Sequence, residues 1–193
     1  ADIGATNWGK YVMYVDTTND ANGATSDAWT RNVVVNDPHK PEYGIYTWVD
    51  AAPYDPSDTQ IVPWTGSAWD WGNVRQVAAG AIGAGTPSAI EWQVAKADLG
   101  NPASVWMEVW DTGGGGGDNA QDTINDPADD WNANDWGTQA VLANSTFYQL
   151  ENYEPTPPGY DDNVWWDGLE HASRSDMYRT PFGAVRKMTP VTL

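Results

Sequence analysis

Residues 104–111 read Ser-Val-Trp-Met-Glu-Val-Trp-Asp (SVWMEVWD), with Val105, Met107 and Val109 on alternate positions and Trp106, Glu108 and Trp110 between them. A period of two is the spacing at which a strand turns successive side chains to opposite faces. The aliphatic set predicts the core-facing side and leaves the two indoles and the carboxylate on the other. Upstream, residues 89–95 (AIEWQVA) alternate in the same way, with Ile90, Trp92 and Val94 on one side. Burial is therefore expected for Ile90, Trp92, Val94, Val105, Met107 and Val109.

Working outward, β-rich runs recur between turn-forming clusters at residues 10–16 (KYVMYVD), 29–36 (WTRNVVVN), 43–50 (YGIYTWVD), 74–79, 139–142 and 146–150. Residues 60–64 and 68–71 predict a hairpin about Thr65, Gly66 and Ser67, while residues 81–85 are too glycine-rich for more than a weak strand. Helical stripes are absent. The fold class expected is all-β: an antiparallel β-sandwich or jelly roll of at least eight short strands, with little helix, long acidic loops and an extended C-terminal tail. The sandwich is assigned to residues 1–153. Residues 154–193 are read as a proline-rich linker and tail, entered through Pro155, Pro157 and Pro158.

The chain of 193 residues carries a formal charge of −18, which repels nucleic acid and anionic lipid. Through residue 153 it has 21 acidic and 5 basic residues, and beyond that 6 and 4. Cysteine is absent, so disulfides and thiolate metal sites are excluded. The opening Ala-Asp-Ile-Gly reads as a mature end left by leader removal, and no apolar run reaches the roughly 20 residues that span a bilayer. An extracellular or cell-surface location without direct membrane insertion is expected.

Three segments in order, residues 11–16 with the Asp/Asn/Gly loop that follows, the hairpin WTGSAWDW at 64–71, and AIEWQVAKADLG at 89–100, together resemble the DOMON-like superfamily, including family-9 carbohydrate-binding modules. The likeness covers about residues 10–111. Ile90, Glu91, Trp92, Val94, Asp98, Leu99 and Gly100 match the late motif, with Ala95 where proline is common. It implies a non-enzymatic β-sandwich whose ligand is a sugar, haem or another protein, with Leu99 plugging the core and Gly100 making a turn. Haem would call on Met and His, but Met13 and Met107 fall on predicted strands and His39 and His171 in loops.

Thirteen Trp and nine Tyr exceed what a core needs, and rings of this kind at a surface stack on ligands. Trp64, Trp69, Trp71, Trp106 and Trp110 are the candidate sugar platforms. Asp and Asn gathered in loops suit calcium, a hard cation that takes oxygen ligands. Asp16, Asn19, Asp20, Asn22 and Asp27 form one candidate set, and Asp118, Asp122, Asn125, Asp126, Asp129 and Asp130 the other. Asn144-Ser145-Thr146 is a glycosylation sequon. No G-x-S-x-G elbow or H-E-x-x-H motif is present, so the enzyme reading is a jelly-roll glycoside hydrolase with Glu91 and Glu108 facing each other from neighbouring strands.

The function expected is that of a non-catalytic secreted structural protein. It would be a calcium-stabilised, self-assembling subunit of an extracellular filament, tube or surface layer, partnered by copies of itself. Phe182, Val185, Arg186 and Lys187 in the near-neutral tail would contact an acidic neighbour, with strand addition to an open sheet edge as the mode. The alternative is a carbohydrate-binding module that takes cell-surface polysaccharide.

Overall fold

The computed structural model describes residues 9–49, 58–83, 89–125, 137–150, 177–179 and 185–187. The chain divides into two units, Ala1–Gln149 and Leu150–Leu193. In the first unit, β1 (Gly9–Asp16), β3 (Tyr43–Val49), β4 (Gln60–Pro63), β5 (Arg75–Gln76), β8 (Ser104–Thr112), β9 (Ala120–Thr123) and β11 (Thr146–Gln149) build one sheet. Its order is β11-β8-β1-β3-β4-β5, with β9 also on β8. A second layer is the pair β2 (Val33–Val35) and β10 (Ala140–Leu142), and a separate hairpin joins β6 (Ala79–Gly83) to β7 (Ala89–Gln93). In the second unit β12 (Met177–Arg179) and β13 (Val185–Lys187) pair antiparallel, so Val185, Arg186 and Lys187 oppose Arg179, Tyr178 and Met177; Phe182 lies outside the described residues. The described residues hold no α-helix; Lys96–Leu99 form a 3-10 turn, and no helix among them is long and apolar enough to cross a membrane.

The all-β class and the sandwich are as expected, with one exception in pairing. β2 and β10 run parallel, Val33 opposite Ala140 and Val35 opposite Leu142. Parallel neighbours need a long crossover, and here most of the large sheet lies in sequence between them.

The core fills the gap between the layers. Val12, Tyr14, Tyr46, Trp110 and Ala120 from the large sheet meet Val33, Val35, Ala140 and Leu142 from the small one. Cross-strand register fixes which residues face inward: Val12 stands beside Tyr46 and Trp110, and Tyr14 beside Gly44 and Glu108. On β8 this reverses part of the sequence expectation. Trp110 is 1% exposed and Glu108 4%, whereas Met107 and Val109 are only half-buried; Val105 is buried as expected. Both faces of β8 are covered in part, so hydrophobic alternation did not mark the deeper one. The large sheet's other face buries Val15, Ile45, Ile61 and Val105, and the 3-10 turn closes over it near Tyr43. Leu99 is buried there and Gly100 ends the turn at φ 77°, the roles that the late motif implies. Ile90, Trp92 and Val94, expected in the core, are only half-buried, because β7 pairs with β6 outside the main sheet.

Two local constraints hold loops to the sandwich. At Gly23 an added Cβ would lie 2.2 Å from the Lys40 carbonyl oxygen, beside hydrogen bonds from Ala24 N to Pro41 O (2.9 Å) and Lys40 N to Asp20 O (3.0 Å). At β8's outer edge, β11 takes residues 104–107 and β9 residues 110–112. Asn125 fills the break, its Nδ2 donating to Met107 O (3.0 Å) and to Glu108 Oε2 while its Oδ1 accepts from Thr146 Oγ1.

Gly23→Ala forces backbone apart rather than a flexible side chain, so the variant is expected to lose about 3 kcal/mol or more in urea unfolding. Asp111 gives a second prediction. Burial, with the charge of cross-strand Asp122 second, raises its carboxyl to about 6. Between the ordinary carboxylate range and that value the folded protein holds a proton that the unfolded chain has released, so this group's contribution falls as pH rises from about 4 to about 6. Asp111→Asn should therefore be more stable than wild type at pH 7, by at most about 3 kcal/mol, with the gap closing at pH 4 in parallel melts.

Candidate functional site

Asp27 shapes the first part of the site. Its Oδ2 accepts the backbone N–H of Trp29 (2.8 Å) and of Arg31 (3.0 Å), and its Oδ1 accepts Tyr14 Oη–H (2.6 Å). This is an Asx-type turn, a short carboxylate substituting for backbone acceptors. Burial raises the Asp27 carboxyl, opposed by the bonds from Tyr14, Arg31 and Trp29. The turn lays Trp29 on Tyr46, ring centroids 4.0 Å apart and nearly parallel. Beneath, the buried Arg31 guanidinium donates to Tyr46 Oη (2.7 Å) and to Gly115 O.

A second loop supplies the outer rings. Thr65 N donates to Ala68 O (2.9 Å) and Asp70 N to Pro63 O (2.8 Å), closing the hairpin over Gly66 at φ 94°. Trp64 and Trp69 meet there through one isolated bridge rather than a ladder, with their rings 5.5 Å apart. Asp70 then accepts Gly72 N–H (3.0 Å) and Asn73 Nδ2–H (2.7 Å), fixing the turn that carries Trp71. Trp71 is 48% exposed and stands edge-on to Trp29 at 5.2 Å. Trp69 anchors inward, its Nε1 donating to Ser26 O (2.8 Å). Gly44 provides the space: a Cβ there would touch both Trp29 and Trp69 at 3.5 Å. Trp29, Trp48 and Trp69 pack partly buried against the core, so the site is an aromatic surface continuous with it.

Of the five sugar-platform candidates, Trp64, Trp69 and Trp71 come together. Trp106 lies across the sheet, stacked on His39 at 3.8 Å. Trp110 is corrected: enclosed in the core 5.5 Å from Tyr14, it offers no ring face to a ligand. The sequence pattern places Trp29 and Trp48 only on strands. The Asp27-Ala28-Trp29-Thr30-Arg31 run carries an Asx-turn signal that would have placed Trp29 in a turn, and Thr30 has φ 61°.

Several of the candidate calcium residues accept protein hydrogen bonds. Asp16 is buried, accepting Thr18 N–H (2.8 Å) and Asn19 N–H (2.7 Å) on Oδ1, while its Oδ2 lies 3.1 Å from His39 Nδ1. Asp20 accepts Asn22 N–H (2.7 Å), Asp118 accepts Gly115 N–H (2.7 Å), and Asp122 accepts Thr123 N–H (2.9 Å). Protein donors bond to the Asp16 and Asp27 oxygens, and Asn125 links β8 to β11. Asn19 and Asn22 are exposed, and Asp126, Asp129 and Asp130 lie outside the described residues. Among the described residues no three His, Asp or Glu side chains gather to hold a metal. Asn144 of the sequon is exposed between β10 and β11. Glu91 is exposed on the β6–β7 hairpin and Glu108 buried in the main sheet, so the two are not on paired strands.

These features define an all-β sandwich that presents a cluster of indoles on its surface. Over 42 residues the chain is 43% identical to amylopullulanases of Thermoanaerobacterium saccharolyticum and Thermoanaerobacterium thermosulfurigenes. That stretch is 22% of this chain but only 3% and 2% of the two enzymes, so the chain spans a small fraction of the curated relatives it matches. No family model matches the chain, and no solved structure does. Nothing in these comparisons supports the expected filament, tube or surface-layer subunit.

The core ring and the surface ring should separate on substitution. Trp110→Ala is expected to cost about 3–5 kcal/mol of stability. Trp71→Ala, half in solvent, should cost under about 1 kcal/mol in the same urea titration.

Proposed function

We propose that this chain is a non-catalytic carbohydrate-binding β-sandwich working outside the cell. The observation that carries the reading is Trp71, held out by the Asp70 turn, nearly half exposed, and set edge-on against Trp29, which shares the space over Gly44 with Trp69. A ring that costs solvent exposure in the free protein gains by covering an apolar partner, and the C–H face of a pyranose is one. The matched segment of two amylopullulanases supports the choice of ligand, and the resemblance to DOMON-like modules is part of the same reading. Acidity narrows it: through residue 153 acids outnumber bases 21 to 5, and burial of Lys10 and Arg31 alongside Asp16, Asp27, Asp37 and Glu108 leaves the surface strongly negative. Neutral glucans fit; acidic polysaccharides are repelled.

Native gels cast with pullulan or amylopectin test the proposal. The protein should be retarded relative to a gel without glucan, and Trp71→Ala should weaken that retardation about tenfold while its melt stays close to wild type. Unchanged mobility in both glucans, combined with polymers on size-exclusion chromatography, would instead favour a structural subunit and sink the binding reading.

A further inference from the structure

We infer a second carbohydrate contact, distinct from the Trp71 surface, at the cleft between β1, β8 and the β2–β10 layer. Tyr14, Asp16, Asp37, His39, Trp106, Glu108, Asn144 and Ser145 line it. It rests on the reading of the chain as a carbohydrate-binding domain and adds a site to it.

Three observations make the cleft. Its wall is aromatic: His39 lies flat on Trp106, 3.8 Å apart at 9°, and beside the cleft Phe147 meets Trp106 at 5.4 Å while remaining 45% exposed. Phe147 stands on β11 directly opposite Trp106 on β8, so register holds the pair together. Its floor accepts hydrogen bonds, with the carboxylates of Asp16, Asp37 and Glu108 all buried. Ser145 is the third: its hydroxyl is shut from solvent without a hydrogen-bond partner. A buried hydroxyl left unmatched has a standing demand for a ligand group.

The dimensions choose the ligand. The interior admits a group about the size of a water, not a whole sugar ring. A single hydroxyl or hydroxymethyl arm fits, donating to a carboxylate and pairing with Ser145 Oγ, while its pyranose remains outside against Phe147. Carboxylates exclude phosphate, sulfate and uronate groups from this floor. The cleft thus takes one hydroxymethyl-bearing residue of a neutral hexose chain.

Proton–nitrogen NMR with the intact chain tests the assignment, using maltohexaose as probe and calcium chloride as a separate titrant. Maltohexaose should shift the Trp106 indole and Ser145 amide signals as well as the Trp71 indole. Phe147→Ala should weaken the response at Trp106 and Ser145 about tenfold and leave that at Trp71 unchanged. Ser145→Ala, a smaller change, should weaken the same two signals with the fold intact. A response at Trp71 alone would overturn the cleft and spare the proposed function, and no response at any ring would overturn both. A shift of Trp106 and Ser145 by calcium without one by maltohexaose would assign the cleft to a cation and overturn the proposal.

Discussion

The rest of the structure depends on the packing of Trp110 and Tyr46 against the short β2–β10 ladder. Both rings are fully buried on one face of the large sheet, side by side with Val12 between them in register. Two three-residue strands cannot stand alone, since a two-stranded ribbon is marginal without a face to pack on. Val33, Val35, Ala140 and Leu142 gain that face by covering the aromatics. The parallel pairing follows, because the small sheet is recruited from distant parts of the chain by the surface it covers rather than by a hairpin.

From that contact the surface chemistry is set on two sides. Toward β3 and β4, Tyr46 continues outward through Trp29 to Trp71, so the exposed ring rests on a stack that ends in the core. Toward β8 and β11, Tyr14 and Glu108 lead to His39 and Trp106. A buried polar network ties the two: Tyr14 donates to Asp27, whose turn places Trp29 and orients Arg31 beneath Tyr46.

The Asp- and Asn-rich loops give a lesson in what composition means. Asp16, Asp20, Asp27, Asp70 and Asp118 each accept backbone N–H groups from residues two to four positions away. Short oxygen side chains in irregular chain serve backbone donors as readily as cations, and the local partner is always at hand. Composition alone does not separate those uses.

Alternation, turn residues and the absence of helical stripes determined the β class, the positions of β1, β3, β8, β10 and β11, and the gathering of Trp64, Trp69 and Trp71 in one hairpin. These are local properties, governed by steric preferences within a few residues. Tertiary structure alone decided that Trp110 is core while Trp71 is surface, that β2 lies parallel to β10, that Asn125 joins β8 and β11, and that Glu91 and Glu108 belong to different sheets. A tryptophan's flanking residues look alike in both settings. Its burial depends on which distant strand covers it, and that is fixed only when the layers close.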